Sequence, residues 1–198
     1  MNAGTLYETT EKYFKKKKAD DVMLKFTICF IKQGSQILLL NREFPSWMGI
    51  WNGIGGKIEE GESPRESIIR EIYEETGLLI SDPQFKGITS WIVDDVCVDG
   101  MYLYVAELPI DESYSTPVKT FEGILDWKEY EWIINPKNVG LTSDIPKYIK
   151  HIFNDETIYE HRCYYKNGTL VNHEMIQIDK NFELLENKKE VEEKIFCR

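Results

Sequence analysis

The run Gly56-Lys57-Ile58-Glu59-Glu60-Gly61-Glu62-Ser63-Pro64-Arg65-Glu66-Ser67-Ile68-Ile69-Arg70-Glu71-Ile72-Tyr73-Glu74-Glu75-Thr76-Gly77-Leu78 contains a helix whose two ends are written into it. Ser63 is an N-cap residue, Pro64 suits the first helical position, and Glu66 completes a capping box with Ser63. Gly77 supplies the left-handed stop. The spacing therefore predicts a helix over Pro64–Thr76. At about 100° per residue, Glu71, Glu74 and Glu75 share one face within an arc of roughly 100°. Ile68, Ile69 and Ile72 occupy a neighbouring face suited to docking on a sheet.

Three carboxylates on one helix face repel one another, and Arg70 supplies a single opposing charge. A hard divalent cation with oxygen ligands removes the conflict, because carboxylates at i, i+3 and i+4 can reach the same ion. Taken alone, such a pattern on a helix is usually a solvated acidic face. The wider spacing decides between the two. Gly56, Glu62, Arg70, Glu71, Ile72, Glu74, Glu75, Gly77 and Leu78 satisfy, at every position, the pattern Gly-x5-Glu-x7-Arg-Glu-U-x-Glu-Glu-x-Gly-U. With each residue type at roughly 6–7% usage, the fixed matches arise by chance about once in 10⁸ windows.

This pattern is the Nudix box, and the segment resembles the Nudix hydrolase family. The resemblance implies an α/β fold, an α/β/α sandwich with a mixed sheet carrying a loop–helix–loop. It also implies magnesium- or manganese-dependent cleavage of a diphosphate linkage in a nucleotide-like substrate. Carried over residue by residue, Glu71, Glu74 and Glu75 are metal ligands and catalytic residues, with Glu71 the better candidate for general base. The backbone carbonyl of Gly55 is a further ligand. Arg70 and Glu62 form the ion pair that orients the helix, and Gly56 and Gly77 are structural.

Outside the box, Trp51-Asn52-Gly53-Ile54-Gly55-Gly56-Lys57 resembles the equivalent run in MutT-type hydrolases of oxidised purine nucleoside triphosphates such as 8-oxo-dGTP. That resemblance makes Asn52 a base-recognition candidate; the other reading is a turn residue beside Gly53. Glu122 matches a distal metal-binding glutamate, against a plain exposed side chain. Asp144 falls where the group reads the purine edge, against a first-turn helix carboxylate. Trp91 corresponds to an aromatic of the base pocket, against core packing, and Thr27 and Arg42 align with pocket residues. One departure concerns purine preference: eukaryotic members carry paired aspartates near Asp144, whereas Ser143 precedes it here. The resemblance implies sanitation of the nucleotide pool; hydrolysis of a nucleotide sugar, ADP-ribose or capped RNA, or non-catalytic nucleotide sensing, are the alternatives.

Working outward, residues 1–21 form a polar arm with a solvated basic run at Lys15–Lys18, and 22–179 form the catalytic domain. Residues 180–198 are charged, with a helix expected over Phe182–Phe196. Val22–Ile31 and Gln36–Leu40 read as a hairpin through Gly34. Phe85–Val93 and Met101–Glu107 read as strands joined through Asp94–Gly100, and Trp127–Ile134 as a short strand. Ser143–Phe153 reads as a helix capped by Ser143. Thr157–Tyr165 and Thr169–Ile178 flank Asn167-Gly168, a hairpin signal.

The chain has 198 residues, enough for one domain with a proper core. Its 24 basic and 34 acidic residues leave a net charge of −10. Duplex binding depends on neutralising phosphates with Lys and Arg, so a small nucleotide is the expected partner and duplex nucleic acid is not. Cys29, Cys97, Cys163 and Cys197 contain no C-x-x-C pair and read as reduced thiols. No apolar run approaches the ~18 residues of a membrane span, and the N-terminus lacks a secretory signal. A cytoplasmic monomer or homodimer is expected. His151, His161 and His173 lack metal spacing beyond His161-x-Cys163 and read as structural.

Overall fold

The computed structural model describes residues 24–184 apart from 46 and 95, so the N-terminal arm and most of the expected C-terminal helix lie outside the described residues. The elements are β1 Leu24–Gln33, β2 Gln36–Arg42, β3 Trp51–Asn52, α1 Pro64–Thr76, β4 Gln84–Val93, β5 Val96–Glu107 and β6 Val118–Lys119. They continue with β7 Gly123–Glu129, α2 Tyr130–Ile133, α3 Ile145–Asn154, β8 Tyr159–Lys166, β9 Thr169–Gln177 and a 3₁₀ turn at Lys180–Leu184. The strands form one mixed sheet in the order β6-β7-β2-β1-β5-β4-β8-β9, with β3 added alongside β2. β1 runs parallel to β5 and β4 parallel to β8; the other pairs are antiparallel.

Strand alternation sends successive side chains to opposite faces, and both faces are covered. Cys29, Ile31, Leu38 and Leu40 pack with Ile68 and Ile72 of α1. Ile28, Phe30, Ile37 and Leu39 pack with Ile145, Tyr148, Ile149 and Ile152 of α3. The chain is thus an α/β/α sandwich around a mixed sheet. Among the described residues no helix is long and apolar enough to cross a membrane.

The helix α1 has the expected bounds: Ser63 accepts from the Glu66 amide, Glu66 returns the bond, and Gly77 takes φ +75°. Elsewhere the structure corrects the reading. The link expected over Asp94–Gly100 is mostly strand, because Asp94 adopts φ +50° and lets β4 turn straight into β5. Asp tolerates that left-handed conformation better than most residues. The strand expected over Trp127–Ile134 is β7, which pairs with β2 from Gly123 to Glu129. It then bends into α2, which buries Ile133 against the α3 side. Ser143 does not cap α3; Asp144 holds the cap position, without a capping bond from its side chain.

The three histidines meet beside β8 and β9. His161 Nδ1 faces His173 Nε2 at 3.1 Å, and burial pulls the His161 pKa down to about 3. Cys163 lies 3.7 Å from Thr89 Oγ1, its thiol pushed upward by burial. Cys29 and Cys163 are both free and buried.

Candidate active site

Arg70 is the hub of the box. Its Nε and Nη2 donate to the two oxygens of Glu62 at 2.6 and 2.9 Å, a two-pronged arrangement that a planar guanidinium favours. Nη1 donates to Glu71 at 2.9 Å and to Glu74 at 3.1 Å, and Nη2 reaches the Lys57 carbonyl at 3.2 Å. One side chain therefore ties the loop before α1 to two successive turns of the helix.

The glycines explain how the loop comes so close. A Cβ on Gly56 would sit 2.5 Å from a carboxylate oxygen of Glu71, and one on Gly55 would sit 2.2 Å from the Thr27 carbonyl. Gly55 also adopts φ +149°. The backbone bonds joining this strip to β1 use the carbonyls of Ile54 and Gly56 and skip that of Gly55. The Gly55 amide donates to Glu75 Oε2 at 3.1 Å.

On the α3 side of the sheet is a small cavity of about 20 Å³ lined by Ile28, Trp47, Asn52, Trp91, Thr142 and Asp144 among others. Trp91 Nε1 donates to Asp144 Oδ2 at 3.2 Å. Three of the sequence candidates, Asn52, Trp91 and Asp144, are brought together here. Two are not. Thr27 faces α1, with its hydroxyl 3.4 Å from Ser67, because adjacent strand residues point opposite ways and Ile28 takes the pocket side. Arg42, at the end of β2, instead faces Glu122 at 3.7 Å.

A NUDIX domain model matches residues 23–153. The chain belongs to the Nudix family. Over 115 residues it is 36% identical to the uncharacterized Nudix hydrolase YvcI of Bacillus subtilis, covering 56% of this chain and 69% of that protein. Over 109 residues it is 28% identical to the oxidized purine nucleoside triphosphate hydrolase of Mus musculus, covering 54% and 67% respectively. Among solved structures it resembles the mutator MutT protein of Bacillus halodurans, with 26% identity and a TM-score of 0.61 over 77% of this chain and 97% of that one. Nudix hydrolases are pyrophosphohydrolases that act on nucleoside diphosphate derivatives and generally use divalent cations.

Among the described residues of this Nudix hydrolase, no three acidic, His or Cys side chains form a ready-made ligand shell. The donor chemistry nevertheless suits a hard cation. Burial raises the Glu71 pKa, against the opposing pull of Arg70. Burial, with repulsion from Glu71 and Glu122, raises that of Glu75 to about 8, although the Gly55 amide and Arg42 pull it down. Repulsion between Glu71 and Glu75 remains although Arg70 bonds to Glu71 at 2.9 Å, and a hard cation would relieve it. Glu74 stands apart, with its side chain 57% exposed and turned to Arg70.

A stability prediction follows from Glu75. Its folded pKa of about 8 lies above the ordinary value of 4.5, so the folded state holds the proton more tightly. That contribution is complete below about 4.5 and is lost as pH rises through about 8. In chelator, the melting temperature should therefore fall between about pH 5 and pH 8, and added divalent cation should restore it most at the upper end. Thermal denaturation across pH, with and without cation, checks this; a flat metal-free profile would place Glu75 in a hydrated site.

The reading of the sequence did not point to Ile28, Trp47, Met101, Thr142, Tyr148 or Tyr165 as pocket residues. Trp47 had a local signal: it lies just ahead of the Trp51–Gly56 run, on a loop where it adopts φ +68°. Tyr165 had none, because only the parallel pairing of β8 with β4 brings it there.

Proposed function

We propose that this Nudix hydrolase cleaves purine nucleoside triphosphates, with oxidised guanine nucleotides such as 8-oxo-dGTP preferred, to nucleoside monophosphate and inorganic diphosphate, using magnesium. The observation that carries the reading is continuity. The strand that brings Asn52 to the base pocket leads within three residues to Gly55, whose amide holds Glu75. A base in the pocket would place its phosphates over the carboxylates. The relationship to the mouse enzyme supports the same substrate class.

The Gly55 carbonyl, Glu71, Glu74, Glu75 and Glu122 would hold the cation, manganese serving in place of magnesium. When bound, it polarises phosphoryl oxygens and lowers the pKa of the attacking water. Glu71, held in position by Arg70 and by the close approach of Gly56, would take the proton of the attacking water. The cavity of about 20 Å³ holds roughly one water, so a purine enters by displacing a lining side chain. Trp47 lines the cavity from a loop rather than from a strand. A panel of 8-oxo-dGTP, dGTP, ATP, ADP-ribose and sugar nucleotides with product analysis tests the reading. Preferential turnover of ADP-ribose or a sugar nucleotide would overturn it.

Asp144 provides a sharper test. Guanine offers two adjacent donors, N1–H and the exocyclic amine, to a carboxylate; adenine offers a lone pair at N1. Burial raises the Asp144 pKa, while hydrogen bonds from Trp91 and Thr142 favour the ionised form. Asp144→Ala should lower kcat/KM for the guanine-type triphosphate about 10–100-fold and for the adenine-type much less. Asp144→Asn should narrow the preference or reverse it. Equal losses for both bases would assign Asp144 to the fold alone.

A further inference from the structure

His161, on β8, is fully buried among aromatic rings and stands outside the machinery described above. Its ring centroid lies 5.7 Å from that of Tyr148 and 6.1 Å from those of His151 and Tyr159. Nδ1 faces His173 Nε2 at 3.1 Å, while Nε2 is buried and has no hydrogen-bond partner. The planes of the two rings are within 8° of each other, and their centroids are 5.4 Å apart, which exceeds the nitrogen separation by two ring radii. The rings therefore lie end to end, and a proton between them has a nearly straight path. A metal ion on that line would sit about 1.6 Å from each nitrogen, well short of the roughly 2.0–2.1 Å of a zinc–imidazole bond. The contact is a hydrogen bond.

Between neutral rings one nitrogen donates and the other accepts. Were His173 the donor, His161 would carry its own proton on Nε2, as a buried N–H without an acceptor, the rarer defect in folded proteins. His161 Nδ1–H is thus the donor. The pair has no room for a second proton: on His161 Nε2 it buries a charge, and on His173 Nε2 it sets donor against donor. Burial, His173 and His151 oppose a charge on His161, while Asp155 favours it. Burial, with His151 and Lys147 of α3, opposes one on His173, while Glu174 favours it. From β4, Lys86 adds a further positive charge behind Asp155, whose carbonyl it meets at 3.3 Å.

The bond crosses a weak seam. Among the described residues, β9 ends the sheet order beside β8, and none of its residues is fully buried. We propose that the His161–His173 bond is an acid-sensitive catch, fastening β9 to β8 beneath α3, and that acid frees β9 before the rest of the sheet. His161 has a folded pKa of about 3 against an ordinary 6.5, so the catch holds in full above about 6.5 and weakens as pH falls towards 3.

Hydrogen exchange of the full chain, corrected for intrinsic rates and read peptide by peptide, tests this. Between about pH 7.5 and pH 5, protection of β9 should fall by up to about 30-fold, the linkage expected when one histidine regains its ordinary pKa on release. The helix α1 carries no histidine and should not share the loss. His161→Asn keeps an N–H at the Nδ1 position but takes up no proton, and should remove most of the acid effect. An equal acid loss in His161→Asn and wild type, or one shared by α1, would overturn the proposal. The wild type gives an independent reading should the variant not fold: ring ¹⁵N shifts should show His161 neutral and protonated at Nδ1 from about pH 7.5 down to about pH 5. Titration of His161 with a midpoint near its ordinary 6.5 would equally sink the catch.

Discussion

Glu75→Gln is expected to lower kcat by about 10²–10⁴-fold, the loss typical of a positioned catalytic group, while making the metal-free protein more stable near pH 8. Both effects have one cause. Glu75 is only 9% exposed, its charge opposed by burial and by Glu71 and Glu122, so its ionised form is costly until a cation arrives. Glutamine keeps the shape and can still accept from the Gly55 amide, but it neither carries the charge nor serves as a strong ligand. Each pKa unit corresponds to about 1.4 kcal/mol, so the rise of the Glu75 pKa from 4.5 to about 8 bounds the metal-free gain at about 5 kcal/mol. Steady-state turnover and chelator-treated melting curves measure the two halves. Near-normal turnover with unchanged metal dependence would remove Glu75 from the site.

The second large effect is expected at Arg70. Arg70→Ala strands Glu62, Glu71 and Glu74, whose carboxylates all bond to the one guanidinium. Breaking a fully buried pair costs about 3–5 kcal/mol; with Arg70 23% exposed, solvent screening reduces this to roughly 2 kcal/mol. Turnover should fall about 100-fold, because the Glu62 loop and the catalytic helix lose their common tie. Arg70→Lys keeps the charge but cannot span Glu62 and Glu71 together, and should recover part of both losses. Full recovery by lysine, in urea titration and in kcat, would show that charge alone matters there.

How much of this was legible depended on the range of the interactions involved. The helix α1 was legible in full, because its start and stop are set by local bonds at Ser63, Glu66 and Gly77. The pairing of Arg70 with Glu62 was implied by the resemblance to the family and is present at 2.6 Å. What failed was decided by distant partners. Ser143 looked like a cap, but the chain turns Asp144 inward to meet Trp91, 53 positions away. Thr27 was placed one residue out of phase, and on a strand such an error moves a side chain through the sheet. The segment after Asp94 holds an apolar run of only three residues, Val96 to Val98, too short to read as a strand by itself, and its pairing is set by β4 and β1.

The family model stops at residue 153, but the sheet does not. β8 lies between β4 and β9, pairing with β4 from Gly87 to Val93, and it delivers Tyr165 to the cavity beside Asp144. Beyond β9, Phe182 is buried in the α1-side core, and Glu183 accepts from Arg65 of α1 at 2.9 Å and from Tyr104 at 3.0 Å. The unit recognised by kinship is therefore smaller than the unit that folds. Expressing residues 23–153 alone would bare the backbone of β4 as a long apolar edge, the kind of surface on which chains aggregate. The boundary for any excised module falls after the 3₁₀ turn, at residue 184 or later.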